Sequence, residues 1–153
     1  MMVLALLASL AMSQAARPAA ARPQAVTKVA VVDVSAPDAI YEDVSRALAD
    51  KVVEALKATG VQSIRIDERD LPESGCRLGP CLGVAARAKN AEVVVMFDAT
   101  EAKNDGATIE LAALWSTNGA PVAVAKYAVV ADQKKVPKPL MKFAVNVAKA
   151  TRK

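Results

Sequence analysis

The chain has 153 residues, which is enough for one domain with its own hydrophobic core. It is 54% hydrophobic and 24% charged, and this composition excludes a disordered protein. The formal net charge of +4 indicates a mildly basic protein and by itself identifies no partner. Histidine is absent, so Ser-His and Cys-His nucleophile pairs are excluded, and the commonest transition-metal ligand is missing.

The first residues have the pattern of a removable export signal. Val3 to Met12 form an apolar run of about ten residues, well short of the ~20 residues that a membrane-spanning helix needs. Small residues near its end favour cleavage after Ala15 or Ala16, so we predict a signal peptide over 1–16 and a Pro/Ala/Arg linker over 17–25. The start has no Lys or Arg, and a buried first helix is the alternative. We expect a periplasmic or secreted protein with no transmembrane segment in its mature chain.

Two predicted strands flank the first helix of the domain. The segment 26–34 (VTKVAVVDV) is β-branched and nearly all apolar, which is typical of a central strand buried on both faces. Apolar residues then recur at every fourth position from Ile40 to Leu56, and Gly60 follows, so we predict an amphipathic helix that ends at a glycine. The segment 61–66 is the second strand, and a parallel crossover is the expected connection.

The second half of the domain begins with a short alanine-rich helix between Pro80 and Asn90, followed by a buried strand over 91–99. Turn signals (NDG and TNG) then separate strands over 107–116 and 121–130, which predicts an antiparallel meander. Prolines introduce a last amphipathic helix. We therefore predict an α/β domain over 26–151 with the order β-α-β-α-β-β-β-α, in which three helices pack on a five-stranded mixed sheet.

Several short sequences in this order resemble the amino-terminal domain of TolB and related envelope proteins, a family that includes curli-secretion and penicillin-binding-protein-activator domains. The matching segments are 81–88 (CLGVAARA), 90–95 (NAEVVV) and 114–119 (LWSTNG). The resemblance covers most of residues 26 to 150. It implies a non-enzymatic domain that acts by binding other envelope proteins, whose identity the sequence does not give.

Cys76 and Cys81 are the two cysteines, and the four residues between them include Gly79 and Pro80, which can turn the chain. In an oxidising compartment we expect a structural disulfide that stabilises the fold by at most ~2 kcal/mol, because the closed loop is short. A redox pair activated by the helix amino terminus and Arg77 is the alternative. No zinc site is expected, since no further Cys or His is present.

Asp33 and Asp98 are both predicted near the carboxyl ends of central strands, the edge at which open α/β sheets tend to bind ligands. Together they could hold Mg²⁺ or act as an acid/base pair, although strand-end aspartates more often cap loops. Gly79 and Gly83 match no phosphate-binding motif. We therefore expect no cofactor.

Positive charge is concentrated near the carboxyl end of the chain, where a solvated helix face is the default interpretation. An anionic envelope polymer or lipid surface is the alternative partner, whereas export and the lack of stacking aromatics argue against nucleic acid. The residues of this basic patch are Lys134, Lys135, Lys138, Lys142, Lys149, Arg152 and Lys153.

These observations leave three functional hypotheses. The favoured one is an exported interaction module without catalytic activity, which acts through a sheet edge or the exposed hairpin from Ala107 to Val130. The second is a binder of an anionic polymer through the basic last helix. The third is a thiol-redox or metal-dependent enzyme that uses the cysteine pair or the aspartate pair.

Overall fold

The computed structural model describes residues 27–35, 42–72, 76–77, 79–102, 106–130 and 135–152. The predicted signal peptide and linker lie outside these ranges, so both remain predictions. The elements in chain order are β1 (Lys28–Asp33), α1 (Glu42–Ala58), β2 (Gln62–Ile66), a 3-10 turn (Glu68–Asp70), α2 (Gly79–Ala88), β3 (Val93–Ala102), β4 (Gly106–Trp115), β5 (Pro121–Val130) and α3 (Lys138–Thr151).

The strands form one mixed sheet in the order β2-β1-β3-β4-β5. β1 pairs in parallel with both β2 and β3, while β3, β4 and β5 form an antiparallel meander. β1 lies in the parallel part with four consecutive buried residues, as expected for a strand covered on both faces. The predicted α/β class, element order and five-stranded mixed sheet are confirmed.

The first face of the sheet carries the larger hydrophobic core. α1 and α3 lie side by side on this face, and their apolar stripes pack on alternate residues of the strands. The largest fully buried side chains here include Phe97 of β3, Leu56 of α1 and Phe143 of α3. Two amphipathic helices therefore cover this face across the width of the sheet, from β2 to β5.

The second face is covered less completely. α2 packs on β3 and β1, and its residues Leu82, Ala85 and Ala86 form a smaller core with Ala30 and Val32. α2 has ten residues, so it is only about 15 Å long. One short helix cannot cover a five-stranded sheet, and the part of this face formed by β4 and β5 is left outside its reach.

One strand extends beyond its predicted end, and one short element is additional to the predicted order. β3 continues from Val93 to Ala102 instead of ending at residue 99, because its last residues pair with the start of β4 down to Ala102 opposite Gly106. The 3-10 turn lies between β2 and α2, a segment for which the sequence predicts no helix or strand. The ends of α1 and α2 follow the expected chemistry, since Gly60 and Asn90 both adopt positive φ directly after the helices.

The β4–β5 hairpin is fixed to the rest of the domain at Ser116. Its backbone N–H donates to the carbonyl of Glu92 at 2.9 Å, and its hydroxyl donates to the carbonyl of Ala91 at 2.9 Å. The guanidinium of Arg87 donates to the carbonyl of Ser116. α2 passes directly over this carbonyl, so a Cβ at Gly83 would lie 2.7 Å from the Ser116 oxygen.

We predict that Gly83→Ala destabilises the domain. The added methyl group meets backbone rather than a movable side chain, and such overpacking costs about 1–3 kcal/mol, which exceeds the ~1 kcal/mol that alanine gains over glycine inside a helix. Urea unfolding followed by circular dichroism measures the change in the free energy of unfolding.

Gly79→Ala is the matched control in the same helix. Its Cβ would lie 3.3 Å from a terminal methyl group of Leu114, which can rotate away, so this variant should unfold close to the wild type. A Gly83→Ala protein at least as stable as the wild type would contradict the close approach of α2 to Ser116.

Candidate interaction surface

The side chains of β3, β4 and β5 that point away from α1 and α3 form a surface that we call the open face. Val124 is 73% exposed. Among the described residues, no other large apolar side chain is as exposed. Glu110, Lys126 and Ala128 beside it are also exposed. The open face consists of Met96, Asp98, Thr100, Thr108, Glu110, Ala112, Val124, Lys126 and Ala128.

The strand register arranges the open face in rows that run across the three strands. Each row contains one residue from β3, one from β4 and one from β5. The β5 residue is the member of each row that lies at the edge of the sheet, where a partner strand would contact it. The apolar row ends at Val124, the charged row at Lys126 and the small-residue row at Ala128. The rows are Met96–Ala112–Val124, Asp98–Glu110–Lys126 and Thr100–Thr108–Ala128.

The charged row holds two carboxylates and one amine. Lys126 donates to the carboxylate of Glu110 in an exposed ion pair, which stabilises the fold by less than about 1 kcal/mol. Asp98 lies directly opposite Glu110 on β3, and like charges in this position are mildly destabilising. The charged row therefore contributes little to the stability of the fold.

β5 is also an edge strand, with no strand of the described residues paired along its outer side. It has ten residues, begins at Pro121 and contains Lys126 as its one charged residue. The opposite edge, β2, has five residues, and its Arg65 lies 3.7 Å from Asp50 and 3.3 Å from Asp67. Short length, charge and proline are features that hinder edge-to-edge pairing, and β5 carries the last two at Lys126 and Pro121. β5 is nonetheless twice as long as β2, and its outer edge is unpaired among the described residues.

The other side of β5 is held in the core. Tyr127 and Val129 are buried against α3 and the first-face core. Burial of the phenol raises the pKa of Tyr127 to about 12, so this side chain is uncharged at neutral pH. Among the described residues, β5 thus has one face buried in the core, one open face and one edge without a paired strand.

The structure does not bring Asp33 and Asp98 together. Side chains alternate along a strand, so Asp33 points to the same side of the sheet as Val29 and Val31, which belong to the first-face core. Asp98 belongs to the open face. The Asp33 carboxylate accepts the backbone N–H of Ser35 at 2.9 Å, a local turn contact. The strand register therefore places the two carboxylates on opposite faces of the sheet, and a shared magnesium site or acid/base pair at these residues remains a prediction.

Cys76 and Cys81 are bonded to each other, with their Cα atoms 6.0 Å apart. Cys76 is 8% exposed and packs in the second-face core, while Cys81 is half-buried at the start of α2. The Arg77 guanidinium donates to the carbonyl of Val34 at 3.4 Å, which holds the cysteine segment against the end of β1. The bond thus links the loop before α2 to the first turn of that helix.

The basic residues of the last helix divide into two groups. Arg152 donates to the carbonyl of Thr59 at 2.5 Å and so joins the end of α3 to the end of α1. Lys135, Lys138, Lys142 and Lys149 are exposed. Lys134 and Lys153 lie outside the described residues. Arg152 therefore has a structural contact that the sequence did not predict, while the described lysines point to solvent.

The part of the chain that the structure describes contains no group of three or more Cys, Asp or Glu residues arranged to hold a metal ion. Within the same residues, no helix has both the length and the apolar composition that crossing a bilayer requires.

Comparison with solved structures identifies proteins of the same fold. Lipoprotein GNA1162 from Neisseria meningitidis superposes with a TM-score of 0.51 at 12% identity, over 82% of this chain and 95% of that chain. This chain shares that fold. At such low identity the similarity extends to the fold alone.

Two further structures are similar at a lower level, and one of them carries the name of the family that the sequence resembles. A point variant of the PelC dodecamer from Paraburkholderia phytofirmans gives a TM-score of 0.49 at 19% identity, covering 82% of this chain and 88% of that one. TolB from Acinetobacter baumannii gives 0.48 at 15% identity, covering 84% of this chain and 28% of that chain. No family model and no curated protein sequence matches the chain.

We predict that replacing both cysteines with serine lowers the free energy of unfolding by at most ~2 kcal/mol, because the closed loop is short. The double variant should keep the native circular dichroism spectrum and the binding activity considered below. Urea unfolding of oxidised wild type, reduced wild type and the double variant measures the cost. Loss of binding in a folded double variant would instead assign the pair a direct role.

Proposed function

We propose that this protein is an exported, non-enzymatic domain of the cell envelope that binds other envelope proteins by accepting an extended segment at the free edge of β5. The observation that carries the proposal is the combination of a ten-residue unpaired edge with the open face beside it. An unpaired edge offers a row of backbone N–H and C=O groups to a partner strand.

The rows of the open face specify what such a partner strand would carry. A segment paired along β5 would extend each row by one side chain, placed about 5 Å from the residue of β5. It would meet Val124, Lys126 and Ala128 in turn, each two residues from the next. The best match is an extended segment with an apolar residue, then an acidic residue two positions away, then a small residue.

Several features favour binding over catalysis. The chain lacks histidine, and Asp33 and Asp98 lie on opposite faces of the sheet. The two cysteines are joined to each other, and Cys76 is buried. The side chains that could perform chemistry are thus separated or engaged in holding the fold, whereas the exposed apolar surface lies at a sheet edge.

The envelope location rests on the leader pattern, the disulfide and the fold. A bonded cysteine pair is typical of oxidising compartments. GNA1162, which has the same fold, is described as a lipoprotein. These features support export of the domain and an encounter with partners outside the cytoplasm.

Val124→Lys tests the proposal. A lysine at this position should abolish capture of a specific envelope protein. It places a second positive charge near Lys126, and it removes the apolar side chain that the β5 edge offers to a partner strand. The measurement is affinity capture from an envelope extract of the source cells at 0.1 M and 1 M salt, followed by identification and titration of the captured protein. Capture by wild type should persist at 1 M salt, where the Debye length is about 3 Å.

Val84→Lys is the matched control, since Val84 is an exposed valine on α2 that points away from the sheet. It should capture the same protein with unchanged affinity. Equal capture by the Val124→Lys and Val84→Lys proteins would refute binding at β5, and so would capture that disappears at 1 M salt.

A further inference from the structure

α3 presents a second surface that strand addition at β5 does not use. Its exposed residues Lys138, Lys142, Val145 and Lys149 recur at spacings of four, three and four, and Arg152, whose guanidinium donates to the Thr59 carbonyl, follows directly after the helix. This spacing places them along one face of a helix, opposite the buried stripe that packs on β5 and α1. We call this face the α3 stripe.

No carboxylate within α3 balances the charge of the α3 stripe. α3 itself contains no Asp or Glu from Lys138 to Thr151. The ion pairs of the described residues engage the carboxylates of Asp43, Asp50, Asp67, Asp70 and Glu110, and each of them pairs with a cation outside α3. The described lysines of the stripe therefore have no carboxylate within 4.0 Å among these pairs.

The shape of the surface distinguishes a linear partner from a flat one. The stripe is a single line about 21 Å long, given a rise of about 1.5 Å per residue. α1 lies beside it and exposes Asp43, Asp50 and Glu54. A planar anionic bilayer would meet these carboxylates as well as the stripe, whereas an extended polymer can follow α3 alone.

The chemistry of the stripe favours repeated phosphate groups. Lysine binds phosphate as a flexible point charge and needs no fixed fork geometry. The amino-terminal end of α3, where Lys135 and Lys138 lie, adds the positive end of the helix dipole. We infer that the α3 stripe binds a linear polymer of repeated phosphate groups through Lys138, Lys142 and Lys149, at a site separate from the β5 edge.

Long-chain inorganic polyphosphate is the probe, and its binding to the full chain is measured by fluorescence anisotropy at 50 mM and 200 mM salt. Lys142→Gln combined with Lys149→Gln should weaken binding at least about tenfold at 50 mM salt, because about 1 kcal/mol per lysine at an anionic surface exceeds, for two lysines, the ~1.4 kcal/mol of a tenfold change. Wild-type binding should weaken steeply at 200 mM salt. Circular dichroism verifies that the exposed substitutions leave the fold intact.

Arg69→Gln combined with Lys89→Gln is the control of equal net charge. Arg69 lies on the 3-10 turn and Lys89 follows α2, and both pair with nearby aspartates instead of joining the stripe. This variant should bind polyphosphate within about twofold of the wild type, since it removes the same charge elsewhere.

Three results would overturn the inference. Equal weakening in both double variants would mean that only net charge matters. Tighter binding to vesicles of anionic phospholipid than to polyphosphate, at equal phosphate concentration, would identify a bilayer as the partner. Absence of polyphosphate binding by the wild type at 50 mM salt would remove the site. None of these outcomes bears on capture at β5, so the two proposals fail independently.

Discussion

Unequal helix cover on the two faces of the sheet is the constraint on which the rest of this structure depends. Five strands share three helices, and two of these helices lie on the same face. Of the described helices, only α2 lies on the second face, over β1 and β3. The antiparallel half of the sheet therefore has a core on one side and solvent on the other, as antiparallel sheets commonly do.

The contact between α2 and the hairpin determines where the uncovered region begins. Gly83 lets the helix lie directly against the Ser116 carbonyl, and Arg87 donates to the same oxygen. Ser116 in turn bonds the backbone that leads into β3. The hairpin is thus anchored at its turn end, and its remaining length projects beyond α2. A strand already held in the sheet suits strand addition, since a preorganised edge loses little conformational entropy on binding.

The two proposed surfaces lie on different elements and use different forces. The β5 edge offers backbone hydrogen bonds and an apolar row, both insensitive to salt. The α3 stripe offers point charges, and its binding decays with ionic strength. Because α3 packs on the face of β5 opposite to the open face, one domain could hold a protein segment and a polyanion at the same time.

The sequence predicted the fold well where local patterns are strong. The apolar run of β1, the fourfold repeat of α1 and the turn signals around the hairpin each specify an element, and the short crossover and meander then leave few sheet orders. The sequence could not predict which face of the sheet Asp33 lies on, because β1 is apolar almost throughout and has no alternation of polar and apolar residues that would assign its side chains to the two faces.

Other features of the site depend on tertiary contacts that no local pattern encodes. The bond from Arg152 to Thr59 exists because α1 and α3 end side by side, which is a result of packing. β3 was predicted to end too early because residues 100–102 are polar or small and become a strand only through pairing with β4. The exposure of Val124 similarly depends on how far α2 reaches.

Amide hydrogen exchange in the free protein and in its complex with the captured partner tests strand addition at β5 most directly. The account predicts that amides between Val122 and Val129 include a set that exchanges quickly in the free protein and slows at least about tenfold in the complex. The amides of β2 should not change. Protection of β2 or of α3 in the complex, with β5 exchanging as it does in the free protein, would contradict the account.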